Sequence, residues 1–326
     1  IGQKRVKSIK EAWEEQKAVR EVMMFLQTYG VTDALCLRLV RKYGNTAKSI
    51  LESDPYRIIR EVKGIGFKTA DRIALNLGLS NNGPERIEAG ILHTVQEAED
   101  QGHNHIDRRE LVILVANLLE TDSNDVDQRI DALLQSCDLV RSTEDWVQLP
   151  TSARAEQTLA RSLHALLDAK SSLPPIQVEK AITWAQEKAG FGFADGQTEG
   201  IRQALLSKVS ILTGGPGTGK TTILRALVSI LKAKKTKIML GAPTGRAARR
   251  MAESASHFAQ TIHRLLKFDP SQGGFTHNEQ SPLTCDFVIM DEASMLDLLL
   301  DASLVRSITP HAHLLVVGVA DQFPSV

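Results

Sequence analysis

Apolar residues along this chain follow two different rhythms. Over residues 1–80 they fall into short helical stretches separated by tight glycine turns. The stretch 85–101 is a longer helical pattern with Ile87, Ile91, Leu92 and Val95 on one face, and 107–119 and 125–134 repeat that style. Residues 138–140 and 146–149 read as two short strands around a polar turn. One more amphipathic helix covers 153–169 and stops at the turn-rich Ser171-Ser172-Leu173-Pro174-Pro175. Beyond that point the rhythm changes. Helical patterns at 177–188 and from Asp195 alternate with apolar runs ending near Thr213, Leu240, Met290 and Gly318. Strands alternating with helices predict a parallel sheet with ligands at the strand C-terminal ends.

Charge sharpens this division. The whole chain of 326 residues has a formal net charge of zero. Residues 1–80 nevertheless carry 15 Lys/Arg against 9 Asp/Glu, residues 81–200 carry 10 against 21, and residues 201–326 carry 14 against 9. Two basic ends therefore flank an acidic middle, and an anionic polymer is expected at the ends. Turn residues at 79–84 and 171–175 suggest boundaries. They give a basic region over 1–80, an acidic domain over 84–150, a helix and linker over 151–175, and an α/β domain over 176–326. Three helices and a short hairpin make the acidic middle winged-helix-like, and its charge makes it a spacer or a protein-contact module. No apolar run approaches the roughly 20 residues of a membrane span, and no signal peptide is visible, so no membrane role is expected and the compartment is read as cytoplasmic. The three cysteines, Cys36, Cys137 and Cys285, share no metal-ligand spacing and read as buried small residues in a reducing compartment.

In the basic N-terminal region the clearest turn is Val62-Lys63-Gly64-Ile65-Gly66-Phe67-Lys68. It is similar to the helix-hairpin-helix motif of DNA-binding proteins. In such a hairpin, backbone N–H groups around Gly64 and Gly66, helped by Lys68, hold a phosphate without reading bases. A partial copy occurs at Tyr29-Gly30-Val31-Thr32, and Ile1-Gly2-Gln3-Lys4 repeats the end of the motif 64 residues upstream.

The α/β region carries the chemistry. Gly214-Gly215-Pro216-Gly217-Thr218-Gly219-Lys220-Thr221, followed by Thr222, fits the phosphate-binding pattern G-x-x-x-x-G-K-[ST] between a strand and an amphipathic helix. The glycines let backbone amides surround a polyphosphate, Lys220 reaches its outer phosphates, and Thr221 holds Mg²⁺. The apolar run at 285–290 ends in Asp291-Glu292, which suits a Mg²⁺ ligand followed by a carboxylate that activates water. Gln197 opens a helix about 17 residues before the loop, and its amide can both donate to and accept from an adenine edge. Gly241-Ala242-Pro243-Thr244-Gly245-Arg246 is a small-residue loop in which Thr244 and Arg246 suit DNA phosphates.

Taken together, Gln197, Gly214–Thr222, 242–248, 261–266, Asp291-Glu292-Ala293-Ser294 and 318–326 resemble the first motor domain of superfamily 1 helicases, in the RecD/TraA branch. The upstream hairpins point to RecD-like members with a long N-terminal extension. The resemblance implies a RecA-like P-loop NTPase fold, ATP and Mg²⁺ as cofactors, and single-stranded or junction DNA as a sequence-independent partner. It also implies 5′-to-3′ movement in DNA repair, His263 as a further DNA contact, and Gln322 as a γ-phosphate sensor beside the catalytic Lys220 and Glu292. Two departures stand out. The family's last motif has Asp where this chain has Val319 and Leu where it has Phe323. The second motor domain, with its arginine finger, is expected to lie beyond Val326, so the chain by itself should hydrolyse ATP poorly. The alternative is a DNA-binding scaffold with a degenerate nucleotide site, for which Val319 is the sequence argument.

Overall fold

The computed structural model describes residues 19–29, 31–143, 145–215, 217–271 and 273–319. Ile1–Lys4, Gly30, Pro216, Gln322 and Phe323 lie outside the described residues. The described chain forms two compact units. Among the described residues, one comprises those within 19–99 and 105–150, the other those within 100–104 and 151–319.

In the first unit, residues 19–28 (α1) lead through a short turn to α2 (Asp33–Tyr43). Then come α3 (Ala47–Ser53), α4 (Arg57–Glu61) and α5 (Phe67–Asn76). The turn from α4 to α5 follows from alternation. Val62, Ile65 and Phe67 are buried, while Gly64, Gly66 and Lys68 are exposed. The next elements are α6 (Pro84–Asp100), β1 (Ile106–Asp107), α7 (Arg108–Leu119), α8 (Ser123–Gln135), β2 (Val140–Arg141) and β3 (Trp146–Gln148). The three strands form an antiparallel sheet in the order β1-β3-β2, beside α6, α7 and α8. This is the winged-helix-like arrangement with one strand more than the periodicity predicts. Residue pairs such as Ile106 with Val147 create that strand across about 40 positions. The acidic side chains cap helices: Asp107 accepts from the amides of Arg109 and Glu110, and Asp122 from that of Asn124.

One hydrophobic core runs from Val22 to Val147 across the 79–84 turn. A buried ion pair reinforces it. Arg86 on α6 binds Asp71 on α5 through Nε at 2.8 Å and Nη2 at 3.0 Å, and donates from Nη1 to the carbonyls of Asn81 and Leu119. Tyr56 donates its hydroxyl to the same carboxylate at 2.7 Å. Burial, then that hydrogen bond, push the Tyr56 phenol well above its ordinary range.

The second unit begins with α9 (Pro150–Asp168), α10 (Val178–Ala189) and α11 (Asp195–Leu206). There follow β4 (Val209–Thr213), α12 (Lys220–Ala233), β5 (Ile238–Ala242), α13 (Gly245–Ala255), β6 (Ala259–Thr261) and α14 (Ile262–Leu265). A hairpin, β7 (Phe268–Asp269) with β8 (Gly274–Phe275), precedes β9 (Phe287–Met290), α15 (Leu298–Ser307) and β10 (His313–Gly318). The sheet order is β4-β10-β9-β5-β6, with every pair parallel.

Successive strand residues supply opposite faces. Phe287, Ile289, Leu315 and Val317 join α10, α11, α12 and α13 in one core. Val288, Met290 and Leu314 join α9, α14 and α15 in another. A sheet covered on both faces explains why these strands read as unbroken apolar runs. Of the three cysteines, Cys36 and Cys285 are buried, but Cys137 is exposed, in a left-handed turn just after α8. Among the described residues no group of three or more His, Cys, Asp or Glu side chains is placed to hold a metal, and no helix is long and apolar enough to cross a membrane.

The Arg86–Asp71 pair yields a stability prediction. Removing one partner strands a buried charge, at a cost of about 3–5 kcal/mol. Asp71→Ala is therefore expected to lower the urea midpoint of the first unit steeply. Combined replacement by an apolar pair of similar volume should recover much of the loss, and equal losses from both changes would contradict this account.

Candidate nucleotide and nucleic-acid site

The ends of β4, β9, β5 and β10 bring the nucleotide-site candidates Lys220, Thr221, Asp291 and Glu292 to one edge of the second unit. Past Thr213 the chain enters the glycine loop. Gly217 (φ 77°) and Gly219 (φ 88°) adopt the left-handed region, which costs glycine little and other residues much. Gly219 is also the N-cap of α12, so the loop amides point where the helix dipole favours an anion. Lys220 opens α12 and turns its ammonium back into the loop. It donates to the carbonyl of Gly214 and, at 2.9 Å, to that of Gly215. Thr218 closes the turn through Oγ1 to the Gly215 carbonyl at 2.9 Å.

Gln197 packs directly over this loop. Its Oε1 accepts from the amide of Ala194 at 3.1 Å. A Cβ on Gly219 would lie 2.0 Å from its Nε2. The glutamine is thus held at the loop by contact as well as by sequence distance.

Asp291 and Glu292 follow β9. The Asp291 amide donates to Gly241 at 3.0 Å, locking the end of β9 to β5. Its carboxylate accepts from the Glu292 amide at 2.9 Å. Burial pushes the Asp291 carboxyl above its ordinary range, against the pull of that amide and of the Lys220 and Arg250 charges. Glu292 is left-handed, φ 55°, and its side chain pairs with Arg250. Lys220, Thr221, Arg250, Asp291, Glu292, Gly318 and Val319 line a single cavity of about 290 Å³. The donor set fits a magnesium nucleotide. The loop offers amides and an ammonium, Thr221 a hydroxyl, and Asp291 a desolvated carboxylate whose charge a dication would compensate. Val319 brings a branched apolar side chain to the same wall.

The DNA-contact candidates fall in separate places. Gly64 (φ 85°) lies at the hairpin tip, where Arg38 donates to the Lys63 carbonyl at 2.9 Å. Gly66 is the N-cap of α5, and Lys68 projects from its first turn, where helix geometry leaves amides without intrahelical acceptors. In the second unit Thr244 caps α13, accepting from Ala247 at 3.2 Å, and Arg246 is exposed beside it. His263 sits on α14 against Phe268 and Phe275, with ring centroids 6.1 and 5.7 Å apart. Sequence reading missed those two phenylalanines, since only the β7–β8 pairing brings them to the histidine. It also missed Arg250, which differs from the neighbouring arginines only by its partner.

This fold and site define a P-loop NTPase domain preceded by a helical, hairpin-bearing region. Comparison with known proteins agrees. The helix-hairpin-helix domain of ATP-dependent RecD2 DNA helicases matches residues 15–105, and an AAA domain family matches residues 197–326. The chain is 33% identical to an ATP-dependent RecD2 DNA helicase of Deinococcus radiodurans over 97% of its own length and 45% of that protein's. It is 36% identical to the RecBCD enzyme subunit RecD of Mycobacterium tuberculosis, over 40% of this chain and 27% of the relative. The corresponding subunit of Haemophilus influenzae is 34% identical over 46% of this chain and 26% of its own. The chain is similar to RecD-like helicases in their N-terminal and first motor regions, and it spans less than half the length of these relatives.

Gly219 gives a direct check of the loop geometry. Gly219→Ala adds a Cβ onto Gln197 and a left-handed strain of about 1–2 kcal/mol. The dissociation constant of a fluorescent ADP analogue is expected to rise about tenfold with the fold retained. Unchanged affinity would remove this loop from the nucleotide site.

Proposed function

We propose that the chain is the DNA-gripping and nucleotide-binding part of an ATP-dependent DNA helicase that moves 5′ to 3′ on single-stranded DNA in repair or recombination. The observation that carries this reading is the convergence of Lys220, Thr221, Asp291 and Glu292 on one cavity, with the basic start of α13 in the same unit. Bound Mg²⁺-ATP supplies the phosphoanhydride whose cleavage drives movement. Around it, the amides of Gly214, Gly215 and Gly217–Thr222 and the Lys220 ammonium neutralise phosphate charge. Thr221 and Asp291 hold Mg²⁺, Glu292 takes the proton of the attacking water, and Gln322 senses the γ-phosphate. Gln197 reads the base through its amide, donating from Nε2 and accepting at the Oε1 lone pair that Ala194 leaves open.

DNA is held through its backbone. The hairpin amides at Gly64 and Gly66, with Lys68, grip phosphates, and Thr244, Arg246 and His263 line the single-strand path. The Thr244 hydroxyl already accepts from Ala247, so its proton is left to donate to a phosphate. The acidic middle serves as a spacer or as a contact for another protein, in a cytoplasmic enzyme.

Single-strand-stimulated ATP turnover by the full-length protein tests the reading. Lys220→Ala is expected to abolish stimulation. Glu292→Gln should cut stimulated turnover by about 10²–10⁴ while ADP-analogue binding persists. Undiminished stimulation in Lys220→Ala would refute the assignment. Nucleotide binding with no stimulated turnover in the wild type would favour the scaffold reading that Val319 suggests.

A further inference from the structure

Glu292 is held by a partner outside its own loop. Arg250 on α13 donates from Nη2 to Glu292 Oε1, and both side chains line the cavity that Lys220 and Thr221 share. The left-handed backbone at Glu292 is an arrangement that persists only where the surroundings hold it. The adjacent arginine behaves differently. Arg249 pairs with Glu253 along the same helix at 3.0 Å. Arg250 lies one turn beyond Arg246, so the two share a face of α13. The N-terminus of that helix is fixed by Thr244. One rigid helix therefore carries two DNA-contact candidates at its start and, one turn on, the side chain that holds the water-activating carboxylate.

We propose that Arg250 is a positioning residue that restrains Glu292 against α13 in the resting protein and releases it when single-stranded DNA engages Arg246 and Thr244. The proposal rests on the nucleotide-hydrolysis reading above. While Oε1 is committed to the guanidinium, the carboxylate is not free to turn toward a water at the phosphate. A movement of α13 on binding DNA breaks the pair and frees it. Arg250 is well exposed in this pairing (63%) and Glu292 less so (24%), so the restraint is weak. The effect of removing it is accordingly about three- to fivefold rather than orders of magnitude.

The test compares wild type, Arg250→Ala and Arg250→Lys in the full-length protein. Three quantities are read: turnover without DNA, turnover with saturating oligothymidylate, and equilibrium affinity for a fluorescent ADP analogue. Arg250→Ala is expected to raise DNA-independent turnover about three- to fivefold, with DNA-stimulated turnover within about twofold of wild type. The stimulation ratio therefore falls. Affinity for the ADP analogue stays the same, and Arg250→Lys restores the ratio at least in part. Parallel loss of both rates with weaker nucleotide binding would make Arg250 a phosphate ligand and overturn the proposal. An unchanged stimulation ratio would overturn it as well. Lys220→Ala separates the two readings, because loss of turnover there with an unchanged ratio in Arg250→Ala defeats only the restraint.

Discussion

A parallel sheet buried on both faces leaves only its strand ends for chemistry. In this chain α10, α11, α12 and α13 pack on one face and α9, α14 and α15 on the other, burying the central strands, while Ile211 of the edge strand β4 stays exposed. The polar groups of the candidate site therefore gather at one edge, at the C-terminal ends of β4, β9, β5 and β10. The loop at 214–219, Asp291-Glu292 and Pro243-Thr244 follow β4, β9 and β5, and Gly318 ends β10, with Val319 next. The register of β9 against β5 and β10 fixes how the carboxylates stand relative to the loop. A slip of one residue would exchange the two sheet faces and carry Asp291 away from Lys220. Packing and site are thus one constraint, and the electrostatics follow from it. The burial that makes the sheet stable also desolvates Asp291, and the cations that face it offset part of that cost.

The first unit solves a different problem. Its helices are short, and α4 has only five residues, too few to be stable alone. They are held by a core that continues through α6, α7 and α8 and by Arg86, which ties α5 to α6 and to the end of α7. The hairpin at 62–66 can then present backbone at its tip because its apolar residues are anchored beneath. Small exposed residues at that tip suit contact with a phosphate chain, and contact of that kind carries no base information.

Much of this was legible in the sequence, and the reason is local. Gly64, Gly66 and Lys68 alternate with Val62, Ile65 and Phe67, so the hairpin announces itself within seven positions. The glycine loop and the Asp291-Glu292 pair are contiguous motifs, and the strand before Asp291 is an unbroken apolar run because both its faces are buried. What escaped depends on distant partners. The strand at Ile106–Asp107 exists only through Val147 and Trp146. The turn at 79–84 has the composition of a linker, yet buried side chains on both sides of it share a core. Arg86 looks like any helical arginine until Asp71 is found beside it, and Arg250 like any solvated one until Glu292 is.

In the proposed function, the nucleotide cavity is coupled to the DNA-contact candidates of the same unit. Linkage requires that coupling to be reciprocal, so it can be read from the DNA side without any hydrolysis. The decisive measurement is the affinity of the full-length protein for a fluorescent oligothymidylate at fixed salt, with and without Mg²⁺ and a non-hydrolysable ATP analogue. A difference of at least about fivefold is predicted. Identical affinities at saturating analogue would contradict the claim that these residues form one ATP-driven, DNA-gripping site.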